Sequence, residues 1–374
     1  MQISTRKSTT VVGLDIEAGS VAATEVRTNG DVQLGKTGIA ALAPGVTSEG
    51  EVIDEGALSD SLKALFAERK LSRNVRVGIA NQRVVVRMLR LPVLEKREEI
   101  EAAIRFHAAD QIPMPLDQAV VDWQVLDSDP AVTLDRKMDV VVVAARRDSV
   151  AGLARACRRA GLKPIGIDVA AFAMIRALAG AAPVAGSAPS SLSYEERIAD
   201  GGSDASVAVG APARLLCNLG DVTNLAVASG SRCLFTRVSS FGMEGVAQRV
   251  AERRGLTLEH ARTWLVHVGL DRPPASIDGD SEIIETCREA LVEGGEKLAG
   301  ELRLSLDFYG SQEGAVAVEE IVLCGHGTAI DGLAKRLGQE LGYPVSVSRP
   351  TALSGLDEAT ASRLTLAYGL ALER

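Results

Sequence analysis

Gly13-Leu14-Asp15-Ile16-Glu17-Ala18-Gly19-Ser20 lies inside a stretch, residues 11–26, that reads as a β-hairpin turning near Ala18-Gly19-Ser20. Asn218-Leu219-Gly220-Asp221-Val222-Thr223-Asn224 repeats the arrangement about two hundred residues later. A third turn, Gly325-His326-Gly327-Thr328-Ala329-Ile330-Asp331-Gly332, follows the strand expected at 320–324. Small residues in such turns let backbone N–H groups approach a phosphate closely, and hydroxyls add donors. An acid at a strand end, here Asp15, can hold Mg2+ through water. The third turn also reads as opening a helix over 328–341, whose N-terminus would favour an anion. It is not a Walker A motif, because no Gly-Lys-Ser/Thr follows, and Ile330 stands where a dinucleotide fingerprint needs its third glycine. For any one turn, plain hairpin geometry is the simpler reading; the set of three carries the argument.

Working outward, residues 32–39 read as a third strand, and 55–69 as a helix with Leu58, Leu62, Leu65 and Phe66 at helical spacing. Strands are expected at 75–80 and 84–91, then an amphipathic helix over 95–110 that opens with several acids and is ended by Pro113 and Pro115. Strands at 120–126 and 138–145 flank a polar turn over 127–136, and a helix over 148–160 stops at Gly161. A strand at 164–168 runs into a helix ending near Leu178. The second half starts again with strands at 214–219, 224–228 and 233–239. Helices follow at 243–254, 258–268 and 281–309, with a strand at 345–347 and a last helix over 357–372. A strand–strand–helix block recurring at that distance indicates a duplicated α/β domain rather than a solenoid, whose period would be about 20–50 residues.

Several function classes drop out on composition. A net charge of −8 and 3% aromatic residues argue against a nucleic-acid binder. Five scattered cysteines without a Cys-x-x-Cys pair read as reduced, buried thiols. The four histidines are scattered too, so no structural metal is expected. Residues 1–10 are polar with no apolar run behind them, which excludes a signal peptide, and no apolar stretch is long enough to span a bilayer. At 374 residues the chain is too long for a single core.

The hairpin motif Gly13-Leu14-Asp15-Ile16 is joined by Gly166-Ile167-Asp168-Val169-Ala170-Ala171-Phe172-Ala173, by Glu301-Leu302-Arg303-Leu304-Ser305-Leu306-Asp307-Phe308-Tyr309, and by Leu323-Cys324-Gly325-His326-Gly327. Together these resemble the PilM family of type IV pilus assembly proteins, relatives of the FtsA division protein in the actin-like superfamily, from residue 11 to the end. The resemblance implies an α/β, actin-like (ribonuclease H-like) two-domain fold with an inserted FtsA/PilM-type 1C subdomain. Subdomain 1A would take 11–82 and 163–183, 1C 83–162, 2A 206–245 and 315–374, and 2B 246–314. Residues 1–10 would be disordered, and the Ala/Ser/Gly/Pro-rich stretch 184–205 a linker or surface insertion. It also implies ATP and Mg2+ between the domains, near Asp15, Ser20, Asn218, Gly220, Thr223, Asn224, Glu301, Gly325, His326 and Gly327, with Asp15 reaching Mg2+ through water. The partner implied is the cytoplasmic tail of a PilN-like inner-membrane protein, gripped in a 1A/1C groove by Arg83, Val85, Arg87 and Ile104. The chain would thereby couple pilus motor and platform proteins from the cytoplasm, peripheral to the inner membrane, without inserting into it.

Three departures fall on the nucleotide site. Glu17 stands where relatives have glycine, Ala22 where they have a lysine, and Asn218 where they have an aspartate, with Asp221 in place of a small residue. Asn218 cannot serve as a general base, a role worth roughly 10²–10⁴-fold in rate. Hydrolysis is therefore expected to be absent or very slow, and nucleotide binding is left open. The competing readings are a filament former of the FtsA type and a sugar-kinase-type phosphotransferase. Asp168 reads as a helix cap, Glu301 as a ribose contact or an outward salt bridge, and Arg87 and Arg90 as groove border or solvated strand face.

Overall fold

The computed structural model describes residues 9–29, 31–94, 96–126, 137–179 and 212–372. The polar turn expected over 127–136 and the linker expected over 184–205 lie outside these residues. The first half runs β1 (Thr9–Glu17), β2 (Ser20–Asn29), β3 (Asp31–Ala41), β4 (Thr47–Ser48), β5 (Glu51–Val52), α1 (Glu55–Arg69), β6 (Asn74–Ile79) and β7 (Val85–Pro92). It continues with α2 (Arg97–Gln111), β8 (Ala119–Val125), β9 (Lys137–Arg146), α3 (Arg147–Arg159), β10 (Lys163–Val169) and α4 (Ala170–Leu178). The second half runs β11 (Ala213–Leu219), β12 (Thr223–Ser229), β13 (Arg232–Ser239), α5 (Met243–Arg254), α6 (Leu258–Val268), α7 (Ser281–Gly310), β14 (Val318–Cys324), α8 (Leu333–Leu341), β15 (Val345–Val347) and α9 (Glu358–Ala371).

Two five-stranded sheets share one plan. The first is ordered β10-β6-β1-β2-β3 and the second β15-β14-β11-β12-β13. In each, three antiparallel strands built on a hairpin are extended by two parallel ones, β1 and β11 lying at the centre. The duplication expected from the two glycine-turned hairpins is thus a matching topology. Strand β1 begins at Thr9, so the expected disordered N-terminus gives up residues 9 and 10 to the sheet.

The sheets face each other across two helices. Alternate residues of β2, β11 and β12 (Ala22, Leu216, Ala226) pack with Met174 and Leu178 of α4 and Leu364 and Ala367 of α9 in one cluster. The crossing is close because glycine permits it. A Cβ on Gly13 would lie 1.9 Å from the carbonyl oxygen of Ala367, and one on Gly369 would lie 1.9 Å from that of Ala173. Arg176 then donates to the Gly369 carbonyl (3.1 Å) and to Asp168 (2.5 Å). Asp168 also accepts from the Val169 N–H, so it anchors Arg176 rather than capping α4, as the sequence had suggested.

A third, three-stranded sheet, β7-β9-β8, stands apart with α2 on it, and its core holds Val85, Leu89, Ile104 and Val140. Helix α3, expected to belong to the same insertion, packs Leu153, Ala156 and Cys157 into the core of the first sheet beside Leu58 and Leu62 of α1. The helix expected over 328–341 is a 3-10 turn, His326–Ala329, followed by α8 from Leu333. Gly332 breaks it: its φ of +79° is left-handed, and a Cβ there would meet the Asp271 backbone nitrogen at 2.8 Å. The α-helix therefore opens at the far end of the third turn, with Gly332 at its N-cap, and not at Thr328.

Replacing Gly369 by alanine should cost about 1–3 kcal/mol in urea unfolding, because the intruding methyl meets backbone rather than a movable side chain. Gly300→Ala, on α7 with nothing within 4 Å of the added methyl, should be neutral or stabilising. Equal effects at the two positions would contradict the crossing described.

Candidate functional site

The β1–β2 turn and the β11–β12 turn meet tip to tip. The Ala18 N–H donates to Asp221 Oδ2 (2.8 Å), whose other oxygen accepts from the Val222 N–H (2.8 Å). Asn218 Nδ2 lies 3.5 Å from Glu17 Oε1, and His326 Nδ1 lies 3.1 Å from Glu17 Oε2. Gly220 and Gly325 allow this approach: a Cβ on the first would sit 2.5 Å from Glu17 Oε1, and one on the second 2.4 Å from Asn218 Oδ1. Arg262 of α6, ion-paired with Glu244, closes over the outside of the turn, where a Cβ on Gly19 would strike its guanidinium.

Arg363 of α9 fills the inside. Its Nη1 pairs with Asp15 Oδ2, its Nε donates to Ser20 Oγ (2.8 Å), and its Nη2 donates to the carbonyls of Ser20 (2.9 Å) and Asp15 (3.2 Å). Glu17 Oε2 lies 3.4 Å from Nε. The fork of a guanidinium suits this set of acceptors. Asp15, Glu17 and Arg363 are each 6–7% exposed, so the group is a buried ion cluster.

Three carboxylates against one guanidinium leave an excess of negative charge, and the titrations divide accordingly. Burial lifts Asp15 to about 7 against the pull of Arg363. Burial, with repulsion from Glu17, lifts Asp221 to about 6. Burial would raise Glu17 as well, but Arg363 and His326 outweigh it and bring it to about 2.

The sequence-derived residues separate into those the cleft brings together and those it does not. Asp15, Ser20, Asn218, Gly220, Gly325 and His326 are in the network just described, and Gly327 packs its Cα side against Leu219 and Met243. The Thr223 hydroxyl donates to the Phe241 carbonyl (2.7 Å), so its proton is already engaged. Asn224 is buried on the strand face that carries Asn218, and neither the nitrogen nor the oxygen of its amide has a hydrogen-bond partner among the described residues. Glu301 is outside the network and accepts from Arg237 (3.0 Å), the contact of the salt-bridge alternative. Arg363 was missed by sequence reasoning. Its signal is a single charge within residues 361–371 of α9, where every other residue is uncharged.

The expected groove residues are more varied. Val85 and Ile104 are core residues of the three-stranded sheet and its helix, not surface. Arg83 is held by Glu51 (2.9 Å). Arg87 is exposed, its Nη1 turned to the Val86 carbonyl. Arg90 shares Asp139 with Arg232 of β13, tying the small sheet to the second large one.

Two of the groups that the ATP and Mg2+ implied by the resemblance would need are engaged within the chain. The acid that would hold the metal is occupied by Arg363, and the turn N–H that would meet a phosphate is occupied by Asp221.

The sequence model of a family described as Type IV pilus assembly protein PilM matches residues 13–374. The chain belongs to the PilM family. Among solved structures, one described as the PilM-PilN type IV pilus biogenesis complex is 26% identical, covers 96% of this chain and 97% of its own, and superposes with a TM-score of 0.74. The ethanolamine utilization protein EutJ from Carboxydothermus hydrogenoformans is 13% identical over 97% of this chain and 89% of its own, with a TM-score of 0.51, and shares the fold. The architecture is the actin-like one. No helix among the described residues is long and apolar enough to cross a membrane.

Two outcomes test the ion cluster. Arg363→Met should destabilise the chain by about 3–5 kcal/mol, since removing one partner strands buried carboxylates. Glu17 is depressed relative to its ordinary 4.5, so its stabilisation is present above that pH and is lost as pH falls toward about 2. The stability gap between wild type and Glu17→Gln in urea unfolding should therefore be widest near neutrality and close on the acid side; a gap independent of pH would contradict the cluster.

Proposed function

We propose that this PilM-family chain is a cytoplasmic scaffold of the type IV pilus machinery that binds the cytoplasmic tail of a PilN-like inner-membrane protein. The observation that carries this reading is the family match over 13–374, together with the whole-chain similarity to a PilM solved with PilN. On this reading the small sheet and α2 form subdomain 1C, and the tail lies between it and the first large sheet, subdomain 1A. An extended peptide needs a sheet edge or a row of pockets, and both outer strands of the small sheet, β7 and β8, end it without a further partner strand among the described residues. Arg83 and Arg87 supply charge at the border, while Val85 and Ile104 shape the groove floor from beneath. The tail would hold the scaffold at the inner membrane, where motor and platform proteins could engage it.

The phosphotransferase reading has no residue to support it. Asn218 cannot take a proton from an acceptor hydroxyl, and the acids beside it are tied to Arg363, His326 and Ala18. The scaffold reading asks for binding without turnover.

The test is a fluorescence-anisotropy titration of the full chain with a labelled peptide of the PilN-like protein's N-terminal tail. Saturable binding is expected, weakened about tenfold or more by Arg87→Glu, equivalent to about 1.4 kcal/mol. A peptide that does not bind, or that binds Arg87→Glu equally well, counts against the groove.

A further inference from the structure

We propose that the interdomain cleft is self-liganded: the Asp221 carboxylate takes the seat of an anion on the Ala18 N–H, the Arg363 guanidinium takes the seat of a cation on Asp15, and the two halves of the chain are clasped shut without nucleotide. The inference concerns the cleft alone and does not depend on the pilus role.

The first observation is chemical matching. A glycine-bearing hairpin turn offers an N–H to an anion, and here a carboxylate from the opposite hairpin receives it at 2.8 Å. A buried aspartate at the end of a central strand suits a cation, and here a guanidinium is ion-paired to it. The anion comes from the second half of the chain, the turn it caps from the first, so the contact spans the cleft. Arg363 comes from α9, whose neighbours are β1 and β2 of the first sheet and α4 between the sheets. His326 and Asn218 add two more cross-cleft contacts through Glu17, and Arg262 shields the turn from outside.

The second observation is the charge that a phosphate chain would meet. A phosphate chain entering the cleft would have to displace Asp221 and Arg363 and then face Glu17. Two like charges about 4 Å apart repel by roughly 4 kcal/mol near a protein surface, so each uncompensated carboxylate is a severe obstacle. The contacts formed by Arg363 are also lost on entry, and they are those of a buried pair. The conformational work that an interdomain ligand would do is done by side chains of the chain itself.

The experiment uses the full chain. Thermal melts with and without millimolar Mg-ATP should coincide, whereas a ligand bound only by the folded state raises the melting temperature by mass action. Amide hydrogen exchange then reads the clasp: in Asp221→Ala the Ala18 amide should exchange at least tenfold faster, while Val12, inside β1, keeps its protection. A Mg-ATP-induced rise in the wild-type melting temperature would overturn the proposal, as would an Ala18 amide unchanged in Asp221→Ala. Should that variant not fold, the wild-type melts decide the matter and Asp221→Ser gives the second exchange measurement. Peptide binding is scored separately, so the loss of one conclusion leaves the other standing.

Discussion

One guanidinium buried between two carboxylates and two backbone carbonyls seats the last helix on the first hairpin, whose turn carries the contacts to the second half. Arg363 projects from the last helix into the turn of the first hairpin, joining the far ends of the sequence. Burying such a cluster is costly unless its hydrogen bonds are satisfied, and here Asp15, Ser20 and Glu17 meet the guanidinium on several sides. The cluster fixes the position of α9. That position requires glycine at 13 and 369, and the same helix packs on α4, which packs on the second sheet. The interdomain core is therefore arranged around a polar centre, and the apolar contacts outside it bring the bulk of the stability.

The matching sheets show how a duplicated plan can diverge at its midpoint. Each contributes a glycine-bearing hairpin turn to the cleft, as a two-domain nucleotide clamp would. In this chain each turn also carries an acid that such a clamp would not place there. Glu17 and Asp221 on their own would repel one another across the cleft. With Asp221 bonded to the Ala18 N–H, and Glu17 to Arg363, His326 and Asn218, they become a cross-link. Substitutions that look like losses taken one at a time make a consistent set once their partners are seen.

Much of this was legible in the sequence, for local reasons. The hairpins and the helices over 55–69 and 95–110 follow from alternation, helical spacing and glycine or proline stops. Asp15, Asn218 and His326 were found because their turns have a recognisable composition. The partners of those residues were not found, since the bonds join positions 15 and 363, or 18 and 221, and no local pattern encodes a contact of that span. Arg363 left a trace as the single charge within residues 361–371. The broken helix after His326 was misjudged because Gly332 reads as an ordinary helix-tolerated glycine until Asp271 is seen against it. Val85 and Ile104 were assigned to a groove surface when alternation and helical spacing already placed them inward.

A crystal structure of the full chain grown at neutral pH in millimolar Mg2+ and a non-hydrolysable ATP analogue would examine the closure most directly. The account predicts a cleft without nucleotide density, the Arg363 guanidinium on Asp15 and Ser20, and the Asp221 carboxylate on the Ala18 N–H. Phosphates seated on that N–H, with Arg363 swung out of the turn and a metal beside Asp15, would contradict it.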